Sequence, residues 1–370
     1  MKGRLDAMKR KCWIVIALVG LLSACEGDRG ADDSGRYVWK RSTPEAQGMD
    51  GGLLDLAFAQ ARAKGYVDSL LVIRNGAIVA EEYYNGYDPS RPHNVMSVSK
   101  SFLSAAAGIA LQRGHIRSLD EKMLDYFPEY AHEGLDARKW GITLRHLLTM
   151  RMGIRGEAED NYGVYRQFYN SGDWVQATIE APLVSAPGEK MRYNTFQTHL
   201  LSAILTKATR ESTLAFASEA LCAPMGIDID SWEQDPQGYY FGGNSMHFTT
   251  QEMAVLGYLF LNNGRLNGVQ IVPEEWVRLT LSPSTDLKHP NEWGALKNYN
   301  YAYLWWLGQV GGRDMFLAYG YGGQLVAVFP GLNLIIASTA ANQVDPDAST
   351  VQEQALFAIM ADGIVPAVVN

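Results

Sequence analysis

Apolar positions in this chain recur with two different periods, and the period changes along its length. DGGLLDLAFAQARAKG (50–65) has the spacing of an amphipathic helix closed by Gly65. SLLVIRNGAIVAEEYYNG (69–86) is two β-rich runs joined at Arg74-Asn75-Gly76, and Asn-Gly between such runs predicts a hairpin. SVSKSFLSAAAGIALQRG (97–114) has a polar start, apolar Phe102, Leu103, Ala106, Ile109 and Ala110, and a closing Gly114. It predicts a helix of about seventeen residues that starts at or just before Ser97. From Leu119 to about Trp276 the pattern is mostly helical and loop-rich, as in ITLRHLLTM, FQTHLLSAILTKATR and TQEMAVLGYLFLNNG. Then YAYLWWLGQV, DMFLAYGYGGQLVAVFPG and LNLIIASTAANQ return to β-rich runs, and STVQEQALFAIMADGI predicts a last amphipathic helix.

Sequential hairpins favour an antiparallel sheet. The simplest assembly joins the first and last segments into one α/β (α+β) unit with the helical block inserted. The expected division is a sheet domain of residues 41–96 and 300–370 and a mainly helical domain of residues 97–299.

The N-terminal region reads differently. Lys9, Arg10 and Lys11 precede the apolar run CWIVIALVGLL and the small residues Ser23, Ala24 and Cys25. That order predicts an export signal, residues 1–24, too short to span a bilayer permanently. Leu22-Ser23-Ala24-Cys25 resembles the bacterial lipoprotein box, which implies cleavage before Cys25 and lipidation of its sulfur. Residues 25–40 begin polar and Gly/Asp-rich and are expected to be a flexible tether. The implied location is the cell envelope, on the periplasmic side of a membrane, the outer one, with the lipid as membrane anchor.

Composition narrows the partners. The chain has 370 residues and a net charge of −8 without a Lys/Arg-rich run, so no nucleic-acid partner is expected. Of three cysteines, Cys12 would leave with the signal and Cys25 would be lipidated, so Cys222 stands alone as a buried apolar thiol.

Metal and organic cofactors find no support. The seven histidines are scattered without an H-x-x-x-H pair, and there is no P-loop, no G-x-S-x-G and no dinucleotide fingerprint. What remains is Ser97 with Lys100 three residues on, in MSVSKS. At a helix start such residues share a face, so the amine can reach the hydroxyl. The unpaired N–H groups there favour an oxyanion and, with burial, disfavour an ammonium. The same serine serves equally as a helix cap, and the spacing alone leaves both open.

Six segments in order resemble the serine β-lactamase superfamily. They are VMSVSKSF (95–102), LDEKMLDYFPEY (119–130), ITLRHLLTM (142–150), APGEKMRYNT (186–195), GGNSMHFTTQEMAVLGYLFLNNG (242–264) and GYGGQLVAVFPG (320–331). Within it the chain is most similar to the class C-like branch of esterases and 6-aminohexanoate-dimer hydrolases. The resemblance implies a β-lactamase/penicillin-binding-protein-like fold, an antiparallel sheet flanked by helices. It implies Ser97 as acylated nucleophile, Lys100 as its base, Tyr193 as proton shuttle, and the N–H groups of Ser97 and Gly323 as oxyanion donors. Thr195, Tyr321, Gly322 and Asp173 are the implied substrate-binding positions. Two residues depart from the pattern: Thr195 stands where the family's Asn would be, and Gly320 replaces the basic residue of Lys-Thr-Gly.

The implied reaction is hydrolysis of a small ester, amide or lactam through an acyl-enzyme. A β-lactamase or D,D-peptidase, a transacylase, and a catalytically inactive binding protein of the same fold are the alternatives. Arg192 reads as a surface residue, Tyr162, Trp174, Trp305 and Trp306 as core or pocket aromatics, and His146 and His247 as packing residues rather than triad members.

Overall fold

The computed structural model describes residues 35–369 except 285, 286, 288 and 289. The expected export segment, Cys25 and most of the expected tether lie outside the described residues.

Nine strands form one sheet: β1 (Lys40–Arg41), β2 (Val67–Arg74), β3 (Ala77–Tyr83), β4 (Glu292–Trp293), β5 (Leu296–Ala302), β6 (Trp305–Val310), β7 (Arg313–Gly320), β8 (Gln324–Phe329) and β9 (Leu334–Ala340). Their order is β1-β3-β2-β9-β8-β7-β6-β5-β4. Every neighbouring pair is antiparallel except β1 with β3. The β2–β3 hairpin turns at Asn75 (φ 50°) and Gly76 (φ 77°), the two positive φ values a two-residue I′ turn requires.

All eight residues of β2 are buried because both faces of the sheet are covered. Leu70 and Val72 join the core under α1 (Gly51–Ala63) and α5 (Pro346–Ile359). Leu71 and Ile73, alternating with them, join the larger core beneath the helical block. α1 is capped by the Asp50 carboxylate, which accepts from the Leu53 N–H at 3.1 Å.

The centre of the helical block is α2 (Ser99–Gln112), buried over most of its length, with α3 (Thr195–Thr209) and α4 (Thr250–Leu261) beside it. The α2 serines satisfy themselves locally and across the block: Ser101 and Ser104 donate to the carbonyls of Leu304 (2.9 Å) and Tyr303 (2.7 Å). Gly108 lets Trp276 approach, since a Cβ there would stand 2.4 Å from the indole. Cys222 is free and buried.

Two expected boundaries move. The packed structure includes residues before 41: Trp39, inside the expected tether, is buried against Tyr258 (rings 5.3 Å apart) and donates to the Gln251 carbonyl at 3.2 Å. The C-terminal part of the sheet starts at Glu292 rather than residue 300. Exposed Lys297 and the left-handed Asn298 (φ 49°) sit inside β5 and break the alternation by which that strand would be read.

Candidate active site

The chain enters Ser97 through a forced turn. Met96 has φ 51°, a conformation costing a non-glycine residue about 1–3 kcal/mol. Asn94 holds it there, its Oδ1 accepting from the Met96 N–H at 2.9 Å. A 3-10 turn, Met96–Val98, then leads into α2. Ser97 is half-buried, and among the described residues its N–H has no acceptor.

Lys100 lies one turn further, 1 % exposed. Its Nζ is 2.7 Å from Ser97 Oγ, 3.0 Å from Thr195 Oγ1 and 2.6 Å from the Gly243 carbonyl oxygen. Burial lowers its pKa to about 7, although the Glu157 carboxylate works in the opposite direction. An amine whose pKa burial draws down, in contact with a hydroxyl, can take that hydroxyl's proton.

Tyr193 closes the group from the segment that enters α3. Its ring centre is 5.0 Å from Lys100 Nζ, stacked on Trp306 at 5.9 Å and edge-on to Tyr301 at 6.0 Å. Burial pushes the phenol well above its usual range and the Glu157 charge adds to this, while a hydrogen bond with Ser97 pulls the other way. The phenol therefore stays protonated in this setting. Asn194 caps α3, accepting from the Phe196 N–H and donating to the Arg155 carbonyl, both at 2.9 Å.

Opposite Ser97 is the turn between β7 and β8. Gly320 abuts the backbone just before Ser97: a Cβ there would lie 2.5 Å from the Val95 carbonyl oxygen. Nearly every backbone polar group of the turn is committed. Gly322 N–H donates to Ser349 Oγ (2.9 Å) and Glu353 Oε1 (3.0 Å), and Gly323 N–H to the Gly320 carbonyl (3.2 Å). The carbonyls of Tyr321, Gly322 and Gly323 accept from Gln324 (3.2 Å), Gln352 (2.7 Å) and Ser338 (3.0 Å). The N–H of Tyr321 is the donor left without an acceptor among the described residues.

The structure thus brings Ser97, Lys100, Tyr193 and Thr195 together, and it shows what the other expected residues touch. Thr195 is buried with its hydroxyl against Lys100. Gly323 has its N–H on the Gly320 carbonyl inside the turn, and Gly322 is held by α5 through Glu353. Asp173 caps the helix Trp174–Glu180, one carboxylate oxygen accepting from the Gln176 N–H (2.8 Å) and the other from the Tyr130 hydroxyl (2.7 Å). Tyr321 keeps its ring near the group, edge-on to Tyr162 at 6.2 Å, with its hydroxyl on the Val344 carbonyl at 2.9 Å.

Two buried carboxylates at the site were not anticipated. Glu157 Oε1 accepts from the Thr195 N–H at 2.5 Å. Burial raises its pKa, while Lys100 and the Thr195 hydrogen bonds lower it. Its acidic surroundings in GEAEDNYG read as a solvated loop and conceal it. Glu353 takes the Gly322 N–H, the Ser349 hydroxyl (2.6 Å) and the Tyr319 hydroxyl. A signal for it existed: Ser349, Gln352, Glu353 and Leu356 share one helical face, so the buried stripe of α5 contains polar residues.

The β-lactamase family model matches residues 54–358. A 6-aminohexanoate-dimer hydrolase of Paenarthrobacter ureafaciens is 24 % identical over 254 residues, covering 65 % of this chain and 64 % of that protein. The match therefore spans just under two thirds of that relative. Among solved structures, a Bacillus anthracis protein provisionally assigned as a 6-aminohexanoate-dimer hydrolase superposes with TM-score 0.71 at 20 % identity, covering 91 % and 90 % of the two chains. EstCE1, described as a hydrolase with promiscuous acyltransferase activity, superposes with TM-score 0.66 at 14 % identity, covering 84 % and 98 %. By sequence this chain belongs to the β-lactamase family, and its fold has the β-lactamase/penicillin-binding-protein-like architecture.

Proposed function

We propose that the protein cleaves a small, uncharged ester or amide through an acyl-enzyme on Ser97. The observation that carries this is the 2.7 Å contact between Ser97 Oγ and Lys100 Nζ, with the lysine buried and its pKa brought down to about 7. In the first half-reaction Ser97 Oγ bonds to the carbonyl carbon as its proton passes to Lys100. The tetrahedral oxyanion is held by the N–H groups of Ser97 and Tyr321. Tyr193 returns the proton to the departing alcohol or amine as the scissile bond breaks. Water, deprotonated by the same pair, then releases the acid and restores Ser97.

Two features favour an uncharged substrate. Gly320 carries no cation where the family's Lys-Thr-Gly has one, and Arg192 and Arg155 beside the site face Glu159 and Asp160. Aromatic faces of Tyr162, Tyr193, Trp306 and Tyr321 favour an apolar acyl group. The Paenarthrobacter relative, by its name an amide-dimer hydrolase, supports amides as well as esters. A fluorophosphonate probe tests the assignment: the wild-type protein labels and Ser97→Ala does not, and equal labelling of both refutes it.

We further propose that the protein is exported and anchored by a lipid on Cys25, as the N-terminal pattern implies. Metabolic labelling with palmitate should tag the wild type and leave Cys25→Ala untagged; a tag on both would refute the anchor.

A further inference from the structure

We propose that Asn342 is a positioning residue: its side-chain amide ties the β7–β8 turn to the segment that enters Ser97, and so sets the spacing of the two N–H groups that hold the oxyanion. That consequence rests on the roles assigned above to Ser97 and Tyr321.

Those two donors belong to different parts of the chain. Ser97 N–H stands at the entry to α2, in the helical block, and Tyr321 N–H in a turn between two strands of the sheet. An oxyanion is held by both only when both reach one oxygen, so the distance between the segments has to be fixed.

On the near side the limit is steric. A Cβ on Gly320 would stand 2.5 Å from the Val95 carbonyl oxygen and 3.1 Å from Met96 Cβ. Such a contact stops the segments approaching but does not hold them together. The holding contact is polar. Asn342 Nδ2 donates to the Asn94 carbonyl at 3.0 Å and lies 3.5 Å from His93 Nδ1. Among the described residues, the hydrogen bonds that join residues 93–98 to residues 320–342 are those of this amide. Its orientation follows from its partner, because a carbonyl can only accept.

Both ends of the tie are anchored. Two buried glutamines bind the end of β9, just before Asn342, to the turn. Gln324 Nε2 donates to the carbonyls of Tyr321 (3.2 Å) and Ala340 (2.8 Å), and its Oε1 accepts from the Ala340 N–H (3.1 Å). Gln352 Nε2 donates to the carbonyls of Gly322 (2.7 Å) and Ala341 (2.8 Å). The Asn342 backbone is therefore carried by the same frame as Tyr321, and a Cβ on Gly322 would stand 3.3 Å from the Asn342 Cα. At the other end Asn94 passes the constraint on. Its Oδ1 holds the Met96 N–H at 2.9 Å, in the left-handed turn that leads into Ser97. His93 beside it is fixed by Asp68, with Nε2 3.1 Å from Oδ2 and both side chains buried.

The test is fluorophosphonate labelling of the full-length protein, because the phosphonyl oxygen of a Ser97 adduct sits where the oxyanion would. Asn342→Ala removes the tie. The isosteric Asn342→Asp puts a carboxylate against the Asn94 carbonyl, with no hydrogen to donate. Each should lower the plateau rate of labelling roughly 10- to 100-fold, the cost of misplacing a group by about 1 Å. The acid limb of the pH profile should stay at its wild-type position, since the Lys100 contacts with Ser97, Thr195 and Gly243 are untouched. The phosphorus NMR resonance of the adduct is the readout that a merely structural role would not move. It should shift toward its position in the denatured adduct as the two donors part. Gly320→Ala, which forces the same segments apart, should move rate and resonance in the same direction. A wild-type rate in Asn342→Asp overturns the proposal, and so does a lowered rate with an unmoved resonance. Should Asn342→Asp fail to fold by circular dichroism, Asn342→Ala decides by the same two readouts. Labelling that survives in Ser97→Ala would instead overturn the assignment on which the proposal rests.

Discussion

Glu157 and Glu353 are both buried carboxylates, one against Thr195 and the other against the β7–β8 turn, and their surroundings differ. Glu353 is satisfied by neutral donors: the Gly322 N–H, the Ser349 hydroxyl and the Tyr319 hydroxyl. It fastens α5 to the β7–β8 turn and thereby fixes where the Tyr321 N–H points. Burial raises its pKa, and those hydrogen bonds hold it down. Glu157 instead faces a buried cation whose pKa its charge raises, and it accepts the Thr195 N–H. One carboxylate braces a backbone turn, and the other lies under the charge of a buried lysine. Burial alone does not distinguish a carboxylate that shapes from one that tunes; the charge of its partner does.

The largest effect should come from deleting the cation. Lys100→Ala should lower the rate of fluorophosphonate labelling by about 10²- to 10⁴-fold, the range for a positioned general base. It should also leave Glu157 buried without its counter-charge, so a fall in thermal stability is expected alongside. Labelling at the wild-type rate would show that Lys100 is not the base, and would reduce Glu157 to the same structural status as Glu353.

Glu353→Ala comes next. It strands the Ser349 and Tyr319 hydroxyl protons and removes one of the two acceptors of the Gly322 N–H, which should cost roughly 2–4 kcal/mol, read as a lower unfolding midpoint in urea. The labelling rate should drop as well, because the turn is released. The informative comparison is Glu353→Gln, which keeps an acceptor for the Gly322 N–H. Its pH profile should retain the wild-type acid limb near pH 7, where Lys100 loses its proton as pH rises and becomes a base. Glu157→Gln should move that limb down, since removing a negative charge disfavours the ammonium. If Glu353→Gln moved it equally, the division between shaping and tuning would fail.

The difference between the two carboxylates also explains what could be read from the sequence. The hairpin at Asn75-Gly76, α1 and α2 are encoded within single windows, and the structure has them where the pattern predicts. Ser97 and Lys100 meet because they are one helical turn apart, and Tyr193 joins them from a segment whose order along the chain matched the family. The role of Thr195, the spent N–H of Gly323 and both glutamates depend on contacts between distant segments. Gly322 meets Glu353 only because α5 packs under the sheet and returns to the turn. Glu157 sits among acidic residues, where local pattern reads water rather than a buried lysine. Arg192, read as a surface side chain, is in fact mostly covered and paired with Glu159.

Asp173 supplies a third carboxylate and the smallest effect. It was expected to bind substrate, yet both of its oxygens are used at the surface of the helical block, on the Gln176 N–H and the Tyr130 hydroxyl. It faces neither the lysine nor the turn in any contact it makes. Asp173→Ala should therefore cost about 1 kcal/mol, as the loss of a helix cap does, seen as a small shift in the urea midpoint. The labelling rate and its acid limb should match the wild type within error. Asp173→Asn, which can still accept from the Gln176 N–H, should recover most of the lost stability. A tenfold drop in labelling with stability intact would mean that this carboxylate reaches the reacting group through a movement of the 155–190 loops. In that case the two-carboxylate account of the site would have to become one of three.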